Sequence, residues 1–356
     1  MNQKKYPVPV YLAKLRRADR SEKTISLYSK VFKGYAQVIG VPVDLIHENM
    51  SQENIDTFID YRNKNGRSKT STKTYVGILY RFMKVNGYEL DAMDEMQANG
   101  KKGKSEHNDK VLTQETLQRM MDLGNPHARA WITFLISTGC RSGEASEILL
   151  SDVKGDTVII RDEIAKGGRG GIVYLSSEAR EFLDLWLKDR GEHIRINKER
   201  TRGMNNSMPE HDQRLFASSY SGLRNMWTRL YEQVDGEKSK YGRRAISMHS
   251  CRRFFRSHLS ETVSVDIVEK LMRHEGYLTG AYVRIPEDEV KTAFKAGETA
   301  LYITRPDQRI QKTEITAVKA ENEELRARLA KIEAFIKEYD FGISPPDKIE
   351  KRNTSF

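Results

Sequence analysis

Met248-His249-Ser250-Cys251-Arg252-Arg253-Phe254-Phe255 is the stretch on which the reading of the chain turns, joined downstream by Leu271-Met272-Arg273-His274-Glu275-Gly276-Tyr277-Leu278-Thr279-Gly280-Ala281-Tyr282. On a helix, His249 and Arg252 stand three apart on one face, while Phe254 and Phe255 turn toward a core. Taken alone, a His-x-x-Arg pair is a weak signal, because solvated helices in a highly charged chain produce it by chance. Its weight comes from the segments upstream. A largely apolar helix from Ala128 to Ser137 ends at Thr138-Gly139, and Cys140-Arg141-Ser142-Gly143-Glu144 follows. Thr157-Val158-Ile159-Ile160-Arg161 and Gly171-Ile172-Val173-Tyr174-Leu175 are rich in β-branched residues and flank a glycine-rich turn, which predicts a β-hairpin with Lys166 at its tip. That turn has no Gly-Lys-Ser/Thr ending and no following helix of the P-loop kind, which argues against a nucleotide cradle.

An ordered series of Arg, Lys, His-x-x-Arg, His and Tyr resembles the catalytic domain of the tyrosine recombinases, the phage-integrase-like family, over about Val111 to Tyr302. The stretch His274 to Tyr282 resembles the archaeal version of the motif, His-x-Gly-Tyr-Leu-Thr-x-x-Tyr. The tyrosine lies eight residues after the histidine (282 minus 274), one fewer than in the commonest bacterial pattern. That departure makes Tyr277 the rival nucleophile, although it falls mid-turn and close to the histidine. The resemblance implies a two-domain, C-shaped clamp, mainly α-helical with a small antiparallel sheet. It implies six catalytic residues, Arg141, Lys166, His249, Arg252, His274 and the nucleophile Tyr282, with Glu144 buttressing them from behind. Arg141 and Arg252 would clamp the non-bridging phosphate oxygens, a task for which a planar, permanently charged guanidinium is suited. Tyr282 would attack phosphorus to give a 3′-phosphotyrosyl link that stores the bond energy. Lys166 would protonate the leaving 5′-oxygen, His249 would assist proton transfer from a tyrosine whose ordinary pKa is near 10, and His274 would hydrogen-bond the phosphate. Neither metal nor ATP is implied.

The rest of the chain fits such a reading. Its formal charge of +10, from 60 Lys+Arg against 50 Asp+Glu, favours a polyanionic partner, and 38% hydrophobic content supports ordinary cores. No apolar run approaches the roughly 20 residues of a membrane span, and the first residues lack the apolar core of a signal peptide, so a cytoplasmic, nucleoid-associated protein is expected. The two cysteines, Cys140 and Cys251, directly precede the two arginines and read as buried packing thiols. A zinc site built from His249, Cys251, His258, His274 and Cys140 lacks any pair of thiolates at finger spacing.

Along the chain, residues 1–94 predict a small helical bundle: Ser21 caps a helix stopped at Gly40, Ser51 opens a second stopped near Gly66, and a third runs from about Thr70 to Gly87. It resembles, less specifically, the core-binding domain of the same family. Arg67, Lys69, Lys73 and Arg81 put positive charge on its third helix, as phosphate contacts require, or form a solvated face. Residues 95–109 read as a linker and 110–306 as the catalytic domain, within which Arg190 to Asp212 predicts a surface loop. Over 307–340, Ile315, Asn322, Leu329 and Ile336 at heptad position a and Val318, Leu325, Ile332 and Tyr339 at d form a coiled-coil seam. Across a parallel dimer Glu314 meets Lys319, Glu321 meets Arg326 and Arg328 meets Glu333, and one Asn at an a position selects that register. A helix packed on its own domain is the competing reading, and residues 341–356 read as a disordered tail. Two functions are compatible with this chain: a site-specific recombinase that pairs inverted half-sites on double-stranded DNA as a dimer and tetramer, or a non-catalytic architectural DNA-binding protein on the same fold. A relaxing activity of the type IB topoisomerase kind would use the same chemistry.

Overall fold

The computed structural model describes residues 6–88, 110–200, 212–238, 244–273, 285–304 and 325–332. The chain divides into two compact units, one formed by Met1–Val111 with Tyr231–Ser247 and the other by Leu112–Leu230 with Met248–Phe356. Among the described residues no helix is long and apolar enough to cross a membrane.

In the N-terminal stretch of the first unit, α1 (Val8–Arg17), α2 (Glu22–Ile39), α3 (Gln52–Lys64) and α4 (Lys69–Val85) enclose one core. Serines start the last three: the hydroxyls of Ser21, Ser51 and Ser68 accept the backbone N–H of Thr24, Asn54 and Ser71 at 3.3, 3.2 and 3.3 Å. At the other end of α2, Gly40 takes a left-handed φ of 74°. Phe32 and Phe82 meet at the centre with ring centroids 4.7 Å apart. The helix α1, which follows Pro7 and carries Pro9 in its first turn, is not among the three helices that the sequence predicts for this stretch. A proline in the first turn of a helix removes only an N–H that has no partner there, so these prolines start α1 and do not forbid it.

The second unit is mainly helical with one small sheet, as expected. Its helices are α5 (Gln114–Leu123), α6 (Pro126–Thr138), the single turn α7 (Ser142–Ala145), α8 (Ser177–Arg200), α9 (Tyr220–Val234), which continues into the first unit, α10 (Met248–Leu259), α11 (Val265–Met272) and α12 (Glu287–Gly297). The strands β1 (Val153–Lys154), β2 (Thr157–Ile160) and β3 (Gly171–Tyr174) pair antiparallel in that order. The expected hairpin is therefore real, with Ile160 opposite Gly171, and β1 extends it by a strand too short to carry a period-two signal. α6 is apolar nearly all round and consequently central. Trp131 and Phe134 both meet Phe216 edge-on, at 4.9 and 5.2 Å between centroids. Ser137 ties α6 to the sheet by donating to the Tyr174 carbonyl at 3.2 Å and accepting the Ser176 N–H at 2.6 Å.

Residues 190–200, expected to be loop, instead continue α8. They lack an apolar stripe because charge pairs along one exposed face hold the helix: Arg195 bridges Glu192 at 2.6 Å and Glu199 at 2.7 Å. Arg190 adds a tie by donating to the Arg214 carbonyl at 2.8 Å. Of the expected coiled coil, only residues 325–332 are described. They are helical, with Leu325, Leu329 and Ile332 at 49%, 57% and 55% exposure on one side.

Candidate active site

The site begins where α6 stops. Gly139 closes that helix at a left-handed φ of 59°, and a Cβ placed there would lie 2.5 Å from the Phe255 ring of α10. Glycine is thus required twice, for the turn and for the approach of the helix that carries Arg252. Gly139→Ala is expected to cost roughly 1–2 kcal/mol for the backbone conformation and about 1–3 kcal/mol for overpacking. The check is the urea midpoint, which should drop with an unchanged slope; a shift equivalent to a few tenths of a kcal/mol would show that the ring approach is not what seats α10.

The turn beyond Gly139 brings Arg141 to the start of α7, where its backbone N–H donates to Glu144 at 3.4 Å and its guanidinium donates to the same carboxylate at 2.9 Å. Glu144 is 3% exposed and collects two further donors, the Lys166 backbone N–H at 3.0 Å and the Arg273 guanidinium. Burial drives its pKa up, but the Lys166 amide, Arg273 and Arg141 outweigh burial and hold it below the ordinary value. One carboxylate therefore links three segments distant in sequence: the α6–α7 turn, the tip of the β2–β3 hairpin and the end of α11. The Lys166 side chain itself is exposed.

Arg252 comes from below. It is 3% exposed on α10 and donates through Nη1 to the Gly139 carbonyl at 2.7 Å and through Nη2 to the Met272 carbonyl. Those two carbonyls end α6 and α11, so the guanidinium staples both helix termini, where the carbonyls lack helical partners and the dipole favours a cation. Burial first, then the like charges of Arg141 and Arg273, lower its pKa to about 10, which still leaves it charged at neutral pH. Among the described residues, Arg141, Arg252 and Arg273 are three guanidiniums against one carboxylate. The cluster has a surplus of positive charge at a water-poor point, and its chemistry is that of an anion receptor.

A model of the phage integrase family matches residues 110–286, about half of the chain and the whole of this cluster. The chain belongs to the phage integrase family. Tyrosine recombinase XerS of Streptococcus thermophilus is 28% identical over 167 residues, 46% of this chain, which spans only 43% of that relative. The lambda integrase dimer bound to a COC' core site is 15% identical with a TM-score of 0.54, over 78% of this chain and 97% of that one. The Tn1549 transposon integrase in complex with circular intermediate DNA is 15% identical with a TM-score of 0.52, over 80% and 98%. At such identities both likenesses concern the fold.

Of the residues expected from the integrase-family motif, Arg141, Glu144 and the Lys166 backbone meet directly, and Arg252 joins them through Gly139. His249 stands exposed on α10, one turn before Arg252. His274, Tyr282 and the rival Tyr277 lie outside the described residues. Arg273 was missed as a site residue, although it stands inside the quoted motif; the one available signal was a long cation directly before the histidine. Among the described residues no three His, Cys, Asp or Glu side chains group as a metal site would require. In the first unit, Arg67 and Lys69 are exposed beside the start of α4, Lys73 is half-buried, and Arg81 is exposed with a hydrogen bond to the Tyr28 hydroxyl at 2.9 Å. Arg62, not singled out by sequence, is buried there, donating to Ser71 at 2.8 Å and lying 3.9 Å over the Tyr75 ring, so its charge is spent on the fold.

Proposed function

We propose that this chain is a site-specific DNA recombinase that breaks and rejoins DNA through a 3′-phosphotyrosyl intermediate. The observation that supports it most is the convergence of Arg141 and the buried Arg252 on one carboxylate-braced point, in a chain of the integrase family. In this reading the Tyr282 oxygen bonds to phosphorus as the bond from phosphorus to the 5′-oxygen breaks. Lys166 delivers a proton to the departing 5′-oxygen, and His249 helps take the tyrosine proton. The two guanidiniums meet the charge on the non-bridging oxygens, with His274 as a further donor. Glu144 keeps Arg141 aimed and holds the hairpin so that Lys166 extends from a fixed base. Rejoining reverses these steps, since the phosphotyrosyl ester retains the bond energy.

The partner is double-stranded DNA carrying paired inverted half-sites, gripped in part through Arg67, Lys69, Lys73 and Arg81, in the cytoplasm on the nucleoid. Residues 1–94, 95–109 and 110–306 serve as core-binding domain, linker and catalytic domain. The protomers act as dimers and, in the synapse, as tetramers. The exposed Leu325, Leu329 and Ile332 fit a seam that awaits a second copy. Full-length protein should therefore sediment as a dimer at tens of micromolar, and a chain ending at Pro306 as a monomer; identical monomeric behaviour of both would remove the coiled coil from the proposal.

The deciding experiment is covalent capture of a labelled, nicked duplex in excess EDTA. A protein-DNA adduct resistant to denaturant is expected, because arginines occupy the place that a metal takes in other phosphoryl-transfer sites. Strict dependence on a divalent ion, or binding without any adduct, would leave an architectural DNA-binding protein as the better account.

A further inference from the structure

We propose that Arg273 is a third phosphate-contacting arginine of this site, donating to the same backbone phosphodiester that Arg141 and Arg252 receive; the inference rests on the recombinase reading above. Its backbone is the first sign. Arg273 ends α11 at φ 52°, a left-handed conformation that a side chain with a Cβ occupies at a cost and that glycine would fill freely. The chain nevertheless has arginine there, and its side chain runs inward. Its Cδ comes within 3.1 Å of where a Gly171 Cβ would be, and Nη2 donates to Glu144. The side chain is only 9% exposed.

Pairing with Glu144 does not account for the whole guanidinium. Among the described residues, Arg273 Nε and Nη1 are buried without a hydrogen-bond partner. Native proteins rarely leave buried donors unmet, because each loses its hydration with no return. Glu144 is also well served without Arg273, having Arg141 at 2.9 Å and the Lys166 amide at 3.0 Å. What the cluster lacks, among the described residues, is an acceptor for these groups. Three guanidiniums against one carboxylate leave positive charge uncompensated, and a phosphodiester supplies one negative charge together with non-bridging oxygens for the orphan N–H groups. Arginine suits that role because it stays charged when desolvated and presents donors on more than one edge.

The experiment compares wild type, Arg273→Lys and Arg273→Gly in single-turnover adduct formation on two nicked duplexes, one with the normal scissile phosphate and one with a neutral methylphosphonate there. Lysine keeps a cation for Glu144 but loses Nε and Nη1, whereas glycine suits the left-handed backbone and removes the side chain altogether. On the phosphate each variant is expected to be slower than wild type by about a hundredfold, the usual effect of deleting one transition-state donor. On the methylphosphonate, which needs less charge matched, the gap should close to within about tenfold. Equal deficits on both linkages would mean that Arg273 acts only by holding Glu144 and would overturn the proposal, as would full activity of either variant on the phosphate. Absence of adduct from wild type on the phosphate would instead overturn the recombinase reading, a result separable from the other two.

Discussion

With phenylalanine at position 282, covalent capture of DNA is expected to fall to background, while affinity for a half-site stays near that of the wild type. Only one oxygen is removed, and in the proposed reaction it is the atom that bonds to phosphorus. The ring that remains alters no charge, and DNA affinity is dominated by cations on phosphates. No other group is expected to replace that oxygen at comparable rate, because a covalent route exists only where a reactive oxygen is held in line with the leaving group. Tyr277→Phe is the matched control and should form adduct normally. Adduct that persists in Tyr282→Phe and disappears in Tyr277→Phe would move the nucleophile to the earlier tyrosine.

Arg252→Lys is expected to slow adduct formation by about a thousandfold, at the upper end of what loss of one transition-state donor produces. The lysine cannot span the Gly139 and Met272 carbonyls that the guanidinium now joins. Loss of one such charge-assisted hydrogen bond also costs about 1.5–3 kcal/mol of stability. The pH dependence separates charge from shape. Burial and the nearby Arg141 and Arg273 already lower the arginine to about 10. A lysine starts lower, near 10.4 in the open chain, and the same surroundings push it down further. It would lose its proton as the pH rises through that depressed value, whereas the arginine keeps its own. The ratio of wild-type to variant rate should therefore widen between neutral and alkaline pH. A constant ratio across that range would show that the deficit is geometric alone.

Much of the fold was legible because its signals are local. Ser21 and Ser51 each cap the helix that they precede, and Gly40 and Gly139 each turn left-handed where a helix ends. Elements whose support comes from elsewhere were harder to read. The extension of α8 to Arg200 rests on charge pairs rather than an apolar stripe, and β1 is two residues that exist because β2 offers an edge. The site divides along the same line. Arg141 and Arg252 follow from motif order, but the role of Glu144 as a common acceptor needs the hairpin amide and Arg273 brought from 22 and 129 residues away. Arg273 was illegible for the same reason. Its direction is set by a left-handed backbone, and nothing local marks a non-glycine residue for that conformation.

The two thiols beside the arginines give the molecule an internal clock. Cys140 and Cys251 are 2% and 0% exposed and unpaired, and burial raises the pKa of both. Alkylating reagents consume thiolates, so in the closed protein neither sulfur is within reach or in the reactive form. Each reacts only while the helices around it are parted, at a pace set by how often that happens. Because each thiol adjoins one arginine of the cluster, the pace of labelling measures how frequently that cluster opens. Any ligand that bridges the arginines must slow both sulfurs together.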